Sequence, residues 1–159
     1  MSGAVHSVST ARSALMRAVR QHGTEPELVV RAILSKSRLR FKNNERSLPG
    51  SPDLVNRSLR IAIFVHGCYW HFHGCSRSTV PKSRRAFWTD KFNVNRSRDE
   101  RNVSLLLESG WRVLTVWECA LRGKAARPSS AIAEAVKGWL QSSKHVGEIA
   151  GIGVPRRRS

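Results

Sequence analysis

The segment His66-Gly67-Cys68-Tyr69-Trp70-His71-Phe72-His73-Gly74-Cys75 constrains this chain more than any other part of it. It crowds two thiols, three imidazoles and large aromatic rings into a span shorter than most helices. Thiolate and imidazole are the donors zinc prefers, imidazole moves protons near neutral pH, and exposed aromatics stack on bases. The chain has 3 cysteines, Cys68, Cys75 and Cys119, and an odd count argues against a disulfide framework. With His73 they make a Cys3His set whose last member follows a candidate strand. Such a set staples two distant parts of a chain, and four protein ligands leave no open position, so a structural Zn2+ is expected. Ordinary buried cysteines beside a surface histidine are the plainer alternative.

Charge narrows the partner. The 159 residues carry 28 Lys and Arg against 11 Asp and Glu, a formal +17. A polyanion relieves that self-repulsion, and nucleic acid is the obvious one. An anionic membrane competes, but the chain lacks a basic amphipathic anchor. No apolar run approaches the roughly 18 residues of a membrane span, and Met1 to His6 lacks a signal-peptide core. A cytoplasmic protein is expected.

Periodicity predicts one α/β domain. Residues 1–10 are small and polar and are expected to be flexible. Ala11 to Gln21 has a helical pattern. Thr24-Glu25-Pro26-Glu27 reads as a capping box with proline in the first turn, opening a helix to about Ser37. A short strand is expected at Leu39 to Lys42, and turn chemistry at Leu48-Pro49-Gly50-Ser51-Pro52. Paired strands follow at Asp53 to Val55 and Arg60 to Val65, the second nearly all apolar and so buried. A long charged helix from Arg84 to about Ser109 ends at Gly110. Trp111 to Trp117 alternates as a strand, and Ser129 or Ser130 caps a last helix through Leu140. A central mixed sheet flanked by helices is therefore expected over 11–142, with a basic, disordered tail over 143–159 whose arginines touch phosphates.

Asp53 opens a strand after a proline-rich turn, where many Mg2+-dependent nucleases present a metal-binding carboxylate. Mg2+ needs only one or two protein oxygens plus a phosphate. The next strand, ending Phe64-Val65-His66, offers no acid and no lysine. A backbone carbonyl, that of Val65, and the imidazoles of His66 and His71 are left to take those roles.

Here the residues resemble a family. Met16-Arg17-Ala18, Thr24 to Glu27, Leu48 to Asp53, the His66 to Cys75 loop, Phe87-Trp88 and Gly110 to Leu114 running into Trp117-Glu118-Cys119-Ala120-Leu121-Arg122-Gly123 are similar to the very-short-patch-repair (Vsr) DNA mismatch endonucleases. The resemblance implies a single-domain, restriction-endonuclease-like fold with a structural zinc. It implies a nick in one strand of double-stranded DNA, 5′ of the thymine in a T:G mismatch left by 5-methylcytosine deamination. By that resemblance Asp53 and the Val65 carbonyl bind Mg2+, and His71 activates water. His66 and Glu27 support it, and Asp99 orients His71. Cys68, His73, Cys75 and Cys119 hold Zn2+, while Met16, Tyr69, Trp70 and Trp88 enter the DNA beside the mismatch. A MutL-type repair protein is a candidate partner, and a monomer suits a single-strand cut.

Plainer readings stand beside these. A capping box explains Glu27 equally well, His66 can bond a backbone carbonyl, and Met16 and Trp88 can pack. Trp111 and Trp117 are read as core, and His6, His22 and His145 as exposed. Tyr69 stands where the family usually has phenylalanine, and Phe72 and Gly74 replace histidines of some relatives. The alternatives in function are a related nuclease with another mismatch or a double-strand target, and a non-catalytic, zinc-stabilised DNA-binding module.

Overall fold

The computed structural model describes residues 22–155. The expected helix at Ala11 to Gln21, Met16 within it, His6, the first ten residues and Arg156 to Ser159 lie outside them.

The elements run α1 (Glu25–Ser35), β1 (Lys42–Asn43), β2 (Leu54–Asn56), β3 (Ile61–His66), α2 (Arg85–Glu108), β4 (Arg112–Trp117), α3 (Glu118–Leu121), α4 (Ser129–Gln141) and β5 (Val146–Ile149). The five strands form one sheet in the order β1-β2-β3-β4-β5. β1 to β3 pair antiparallel, and β3, β4 and β5 pair parallel. The mixed α/β architecture with helices on a central sheet agrees with the sequence. Among the described residues no helix is long and apolar enough to cross a membrane.

Strand alternation sorts β3 and β4 between two cores. Ile61, Ile63, Leu114 and Val116 join Val30 and Leu34 of α1 and Ile132, Val136 and Trp139 of α4. Ala62, Phe64 and Val113 face Leu106 of α2 and Trp111. A third cluster gathers Cys68, Trp117, Cys119 and Ala150 at and just beyond the strand ends. Trp111 and Trp117 are thus core, as expected, and His22 and His145 are exposed.

Gly110 ends α2 as anticipated. It takes φ +79°, and the N–H groups of Gly110 and Trp111 bond the carbonyls of Leu107 and Leu106, both at 2.9 Å. That is a Schellman closure, with Trp111 packed on Leu106.

Four expectations need correction. The N-cap of α4 is Pro128, with no side-chain cap hydrogen bond, so Ser129 and Ser130 lie inside the helix rather than capping it. The strand expected at Leu39 to Lys42 is only Lys42–Asn43. Thr24 is the N-cap of α1, but its hydroxyl donates to Glu27 Oε1 (3.1 Å), and Glu27 Oε2 accepts the N–H of Gly23 (2.8 Å) rather than of Thr24. The cap is therefore shifted by one residue. Finally, the segment 143–159 is not a disordered tail throughout: Val146–Ile149 forms β5 against Val113 to Val116. The guanidinium of Arg112 holds the approach to it. It bonds the carbonyls of Trp139, Leu140, Ser142 and Lys144 at 2.7–3.2 Å and lies over the Trp139 ring at 4.4 Å. The folded unit so extends past the expected boundary at 142.

Candidate functional site

Everything chemically suggestive gathers at the carboxyl end of β3. β2 leaves β3 after the Leu54–Ile63 pair, so the edge of β3 beyond Ile63 is open to other partners. Asp53 takes that place, its Oδ2 accepting the Val65 N–H at 2.7 Å. The N–H and C=O of one strand residue leave the same side of the backbone, so the Val65 carbonyl points along the edge on which Asp53 stands. Burial pushes the Asp53 carboxyl up to about 7. The Val65 N–H lowers it, the Glu27 charge raises it further and Arg31 pulls it back. A carboxyl held so reluctantly in its charged form gains from a cation beside it. Glu27 is buried, caps α1 and pairs with Arg31 at 3.4 Å; its charge also reaches Asp53.

At the same strand end, His66 stacks on His71 with ring centroids 3.8 Å apart and planes 2° from parallel. His71 Nδ1 lies 2.6 Å from Asp99 Oδ2 on α2. Ligand atoms of His66, His71 and Asp99 lie within 4.8 Å of one another. The trio could hold a metal ion or relay a proton. A cavity of about 240 Å³ opens beside it, lined by Gly50, Phe64, His66, His71, Arg98, Asp99, Asn102 and Val103. Gly50 admits this closeness: a Cβ there would meet Asn102 at 3.0 Å and Phe64 at 3.2 Å. Asp53 stands outside the histidine trio. Its link is through the consecutive residues Val65 and His66, one bonded to the carboxyl and the other stacked on His71.

The second group is Cys68, His73, Cys75 and Cys119, whose ligand atoms also lie within 4.8 Å of one another. His73 Nδ1 lies 3.7 Å from Cys68 Sγ and 3.5 Å from Cys119 Sγ. The Cys68 side chain, then His73 and the Gly151 N–H, draw the Cys119 thiol below its ordinary range, and Cys68 is pushed up in turn. A buried thiolate beside an imidazole donor is a metal-ready arrangement, and this group could hold a metal ion. The loop is secured by Glu118, which accepts the Cys68 N–H at 3.1 Å, Arg77 at 3.1 Å and Arg122 Nε at 2.6 Å. Burial alone would raise the Glu118 carboxyl, but the two arginines hold it below its ordinary value.

The third group is aromatic. Tyr69 meets Trp70, Trp88 and Phe92 edge-on at 5.2, 6.0 and 5.3 Å. Phe72 stacks on Phe92 at 5.0 Å. Tyr69, Trp70 and Trp88 remain partly exposed, while Phe92 beneath them is 1% exposed. Lys91 Nζ lies 5.9 and 5.5 Å from the Trp70 and Trp88 rings.

The structure thus brings together Asp53 with Val65 and Glu27, His66 with His71 and Asp99, the Cys3His group, and Tyr69 with Trp70 and Trp88. Sequence reasoning missed Glu118 as the anchor of the loop, Phe92 as the hub of the aromatic cluster, and Arg98 and Asn102 in the cavity wall. Phe92 was recoverable in principle, being an apolar residue one turn after Trp88 on a charged helix.

A sequence model of the family described as DNA mismatch endonuclease Vsr matches residues 5–77. The DNA mismatch endonuclease Vsr of Escherichia coli (strain K12) is 43% identical over 136 residues, which cover 86% of this chain and 86% of that protein. The Type II nicking enzyme V.XorIIP of Xanthomonas oryzae pv. oryzae is 46% identical over 110 residues, covering 69% and 81%. The Type II nicking enzyme V.NmeAIP of Neisseria meningitidis serogroup A is 37% identical over 114 residues, covering 72% and 81%.

Proposed function

The chain belongs to the Vsr family of DNA mismatch endonucleases, and from that premise we propose that it nicks one DNA strand 5′ of the thymine in a T:G mismatch, with Mg2+ at Asp53 and a structural Zn2+ at the Cys3His group. The observation that carries this reading is the junction at Val65-His66. It sets a proton-hungry carboxyl on one residue and a stacked, carboxylate-oriented imidazole on the next.

The roles follow from the contacts. Asp99 accepts Nδ1–H of His71 and so fixes the tautomer, leaving the Nε2 lone pair as the base that takes a proton from water. His66, flat against His71, holds the ring in place and shares its charge. Asp53 and the Val65 carbonyl offer the two hard oxygens that suit Mg2+. Such an ion, when bound, neutralises the phosphoryl oxygens and the leaving oxygen. Glu27 adds negative charge behind Asp53, which favours cation binding, and positions water there.

The spacing of the second group supports zinc. Tetrahedral bonds of about 2.3 Å to sulfur and about 2.0 Å to nitrogen put S and N ligand atoms roughly 3.5 Å apart. His73 stands 3.5 and 3.7 Å from two of the sulfurs. The restriction-endonuclease-like description fits a mixed sheet whose carboxyl edge carries the acid.

Tyr69, Trp70 and Trp88 form the wedge, and Met16, outside the described residues, is assigned to it by the family resemblance alone. Unstacking a base step costs about a few kcal/mol, and a wobble pair, being less well stacked, costs less to open. That difference reads a mismatch without base-specific hydrogen bonds. One catalytic group cutting one strand needs one copy of the chain, in the bacterial cytoplasm, with a MutL-type repair protein as the partner to test.

The test is a nicking assay with Mg2+ on matched and T:G-mismatched duplexes, using Asp53→Ala and His71→Ala as controls. Cleavage confined to the mismatch and lost in both variants is expected. Equal cutting of both duplexes refutes the specificity, and undiminished cutting by Asp53→Ala refutes the site.

A further inference from the structure

Glu148, on the strand the sequence concealed, has no role in the reading above, yet it meets the Cys3His group and the histidine pair through one residue. His73 turns Nδ1 toward the sulfurs of Cys68 and Cys119. Its other nitrogen, Nε2, is buried without a hydrogen-bond partner among the described residues. The nearest acid to it is Glu148, whose Oε1 lies 3.9 Å away with 16% of the side chain exposed. The same oxygen accepts Nε1–H of Trp117. Trp117 in turn lies flat on His73, with centroids 4.0 Å apart and planes at 7°. It also meets the rings of His66 and His71 edge-on, at 5.4 and 6.5 Å. β5 touches the sulfur side as well, through the Gly151 N–H on Cys119 Sγ at 3.3 Å just past its end.

We infer that Glu148 is a positioning residue for the metal centre: its carboxylate takes Nε2–H of His73, fixes the tautomer that presents Nδ1 to the ion, and pins Trp117 between that centre and the His66–His71 pair. The inference rests on reading the Cys3His group as a zinc site. A ligating imidazole whose second nitrogen donates to a carboxylate is oriented and made more basic. Closing the present gap by about 1 Å makes that bond. A nearly buried carboxylate in a chain of net +17 needs hydrogen-bond donors, and Trp117 and His73 both face its Oε1.

The test uses the full chain as wild type, Glu148→Gln, Glu148→Asp and Val146→Ala, the last an exposed change on the same strand. Zinc affinity is read by chelator competition, and the His73 Nε2–H by its proton resonance in the zinc-loaded protein. Glu148→Gln is expected to weaken zinc binding about 10–100-fold and to move the resonance upfield. Glu148→Asp, which keeps the charge, recovers most of the affinity. Zinc affinity within twofold of wild type in Glu148→Gln, with the resonance unmoved, overturns the proposal. An equal loss in Glu148→Asp or Val146→Ala also overturns it, by assigning the effect to docking of β5. A wild-type chain that retains no zinc overturns the metal reading itself, a result distinct from either.

Discussion

Replacing Asp53 by asparagine should abolish nicking and make the metal-free protein more stable. The Asn carbonyl can still accept the Val65 N–H that Asp53 Oδ2 accepts at 2.7 Å, so the local fold is retained while the buried charge goes. The folded-state carboxyl sits at about 7 against an ordinary 3.8. Three units at about 1.36 kcal/mol each amount to about 4 kcal/mol. A raised carboxyl binds its proton more tightly when folded. Its cost is therefore absent below about pH 4, grows as pH rises toward 7, and is complete above it. At pH 8 Asp53→Asn should exceed wild type by up to about 4 kcal/mol, and at pH 5 by only about 1.5 kcal/mol. For a chain of this length that is of order 10 °C in Tm at pH 8. Thermal melts from pH 5 to 9 in magnesium-free buffer measure it. Added Mg2+ should then raise the Tm of wild type, by mass action on the folded state, and leave Asp53→Asn unmoved. A pH-independent difference, or equal stability at pH 8, would refute a desolvated acid at this position. A Tm gain with Mg2+ in the asparagine variant would refute Asp53 as the ligand.

Asp99→Asn removes a charge-assisted bond to His71 Nδ1 of 2.6 Å, of the order of 1.5–3 kcal/mol; nicking should slow about 10–100-fold in single-turnover assays with zinc content unchanged. Gly50→Ala forces φ +75° on an L residue and drives a Cβ to 3.0 Å from Asn102. It should cost about 1–3 kcal/mol in urea unfolding and depress activity through the cavity wall. Cys119→Ser removes a sulfur held by the Gly151 N–H and beside His73. Zinc per chain by elemental analysis should fall together with Tm, and full occupancy would contradict the ligand set.

What could be read from the chain and what could not divide along physical lines. The apolar run at Ile61 to Val65, the alternation at Arg112 to Trp117 and the Gly110 stop of α2 announce themselves because each is a local pattern with a local cause. β5 does not. Val146-Gly147-Glu148-Ile149 is too short and mixed a pattern to read, its strand-forming Val146 and Ile149 separated by Gly147 and Glu148, which disfavour strands. It is a strand because β4 offers an open edge and because a Cβ on Gly147 would lie 2.3 Å from the Trp139 ring. The glycine that reads as a strand breaker is what lets that strand seat. Likewise Thr24 and Glu27 spell a capping box, but the carboxylate is drawn to Gly23 and Arg31 within a buried pocket, a choice no spacing rule records.

By itself the sequence determined the family and the candidate acid, imidazoles and thiols, because those depend on residue type and on short separations along the backbone. Only the tertiary structure decided that β2 departs early enough to leave the β3 edge to Asp53, that His66 and His71 stack beside Asp99, and that β5 brings Glu148 beside His73. Those outcomes arise from which surfaces pack against each other across many residues, and burial of that kind sets both the charge state of a carboxyl and the direction of a ring.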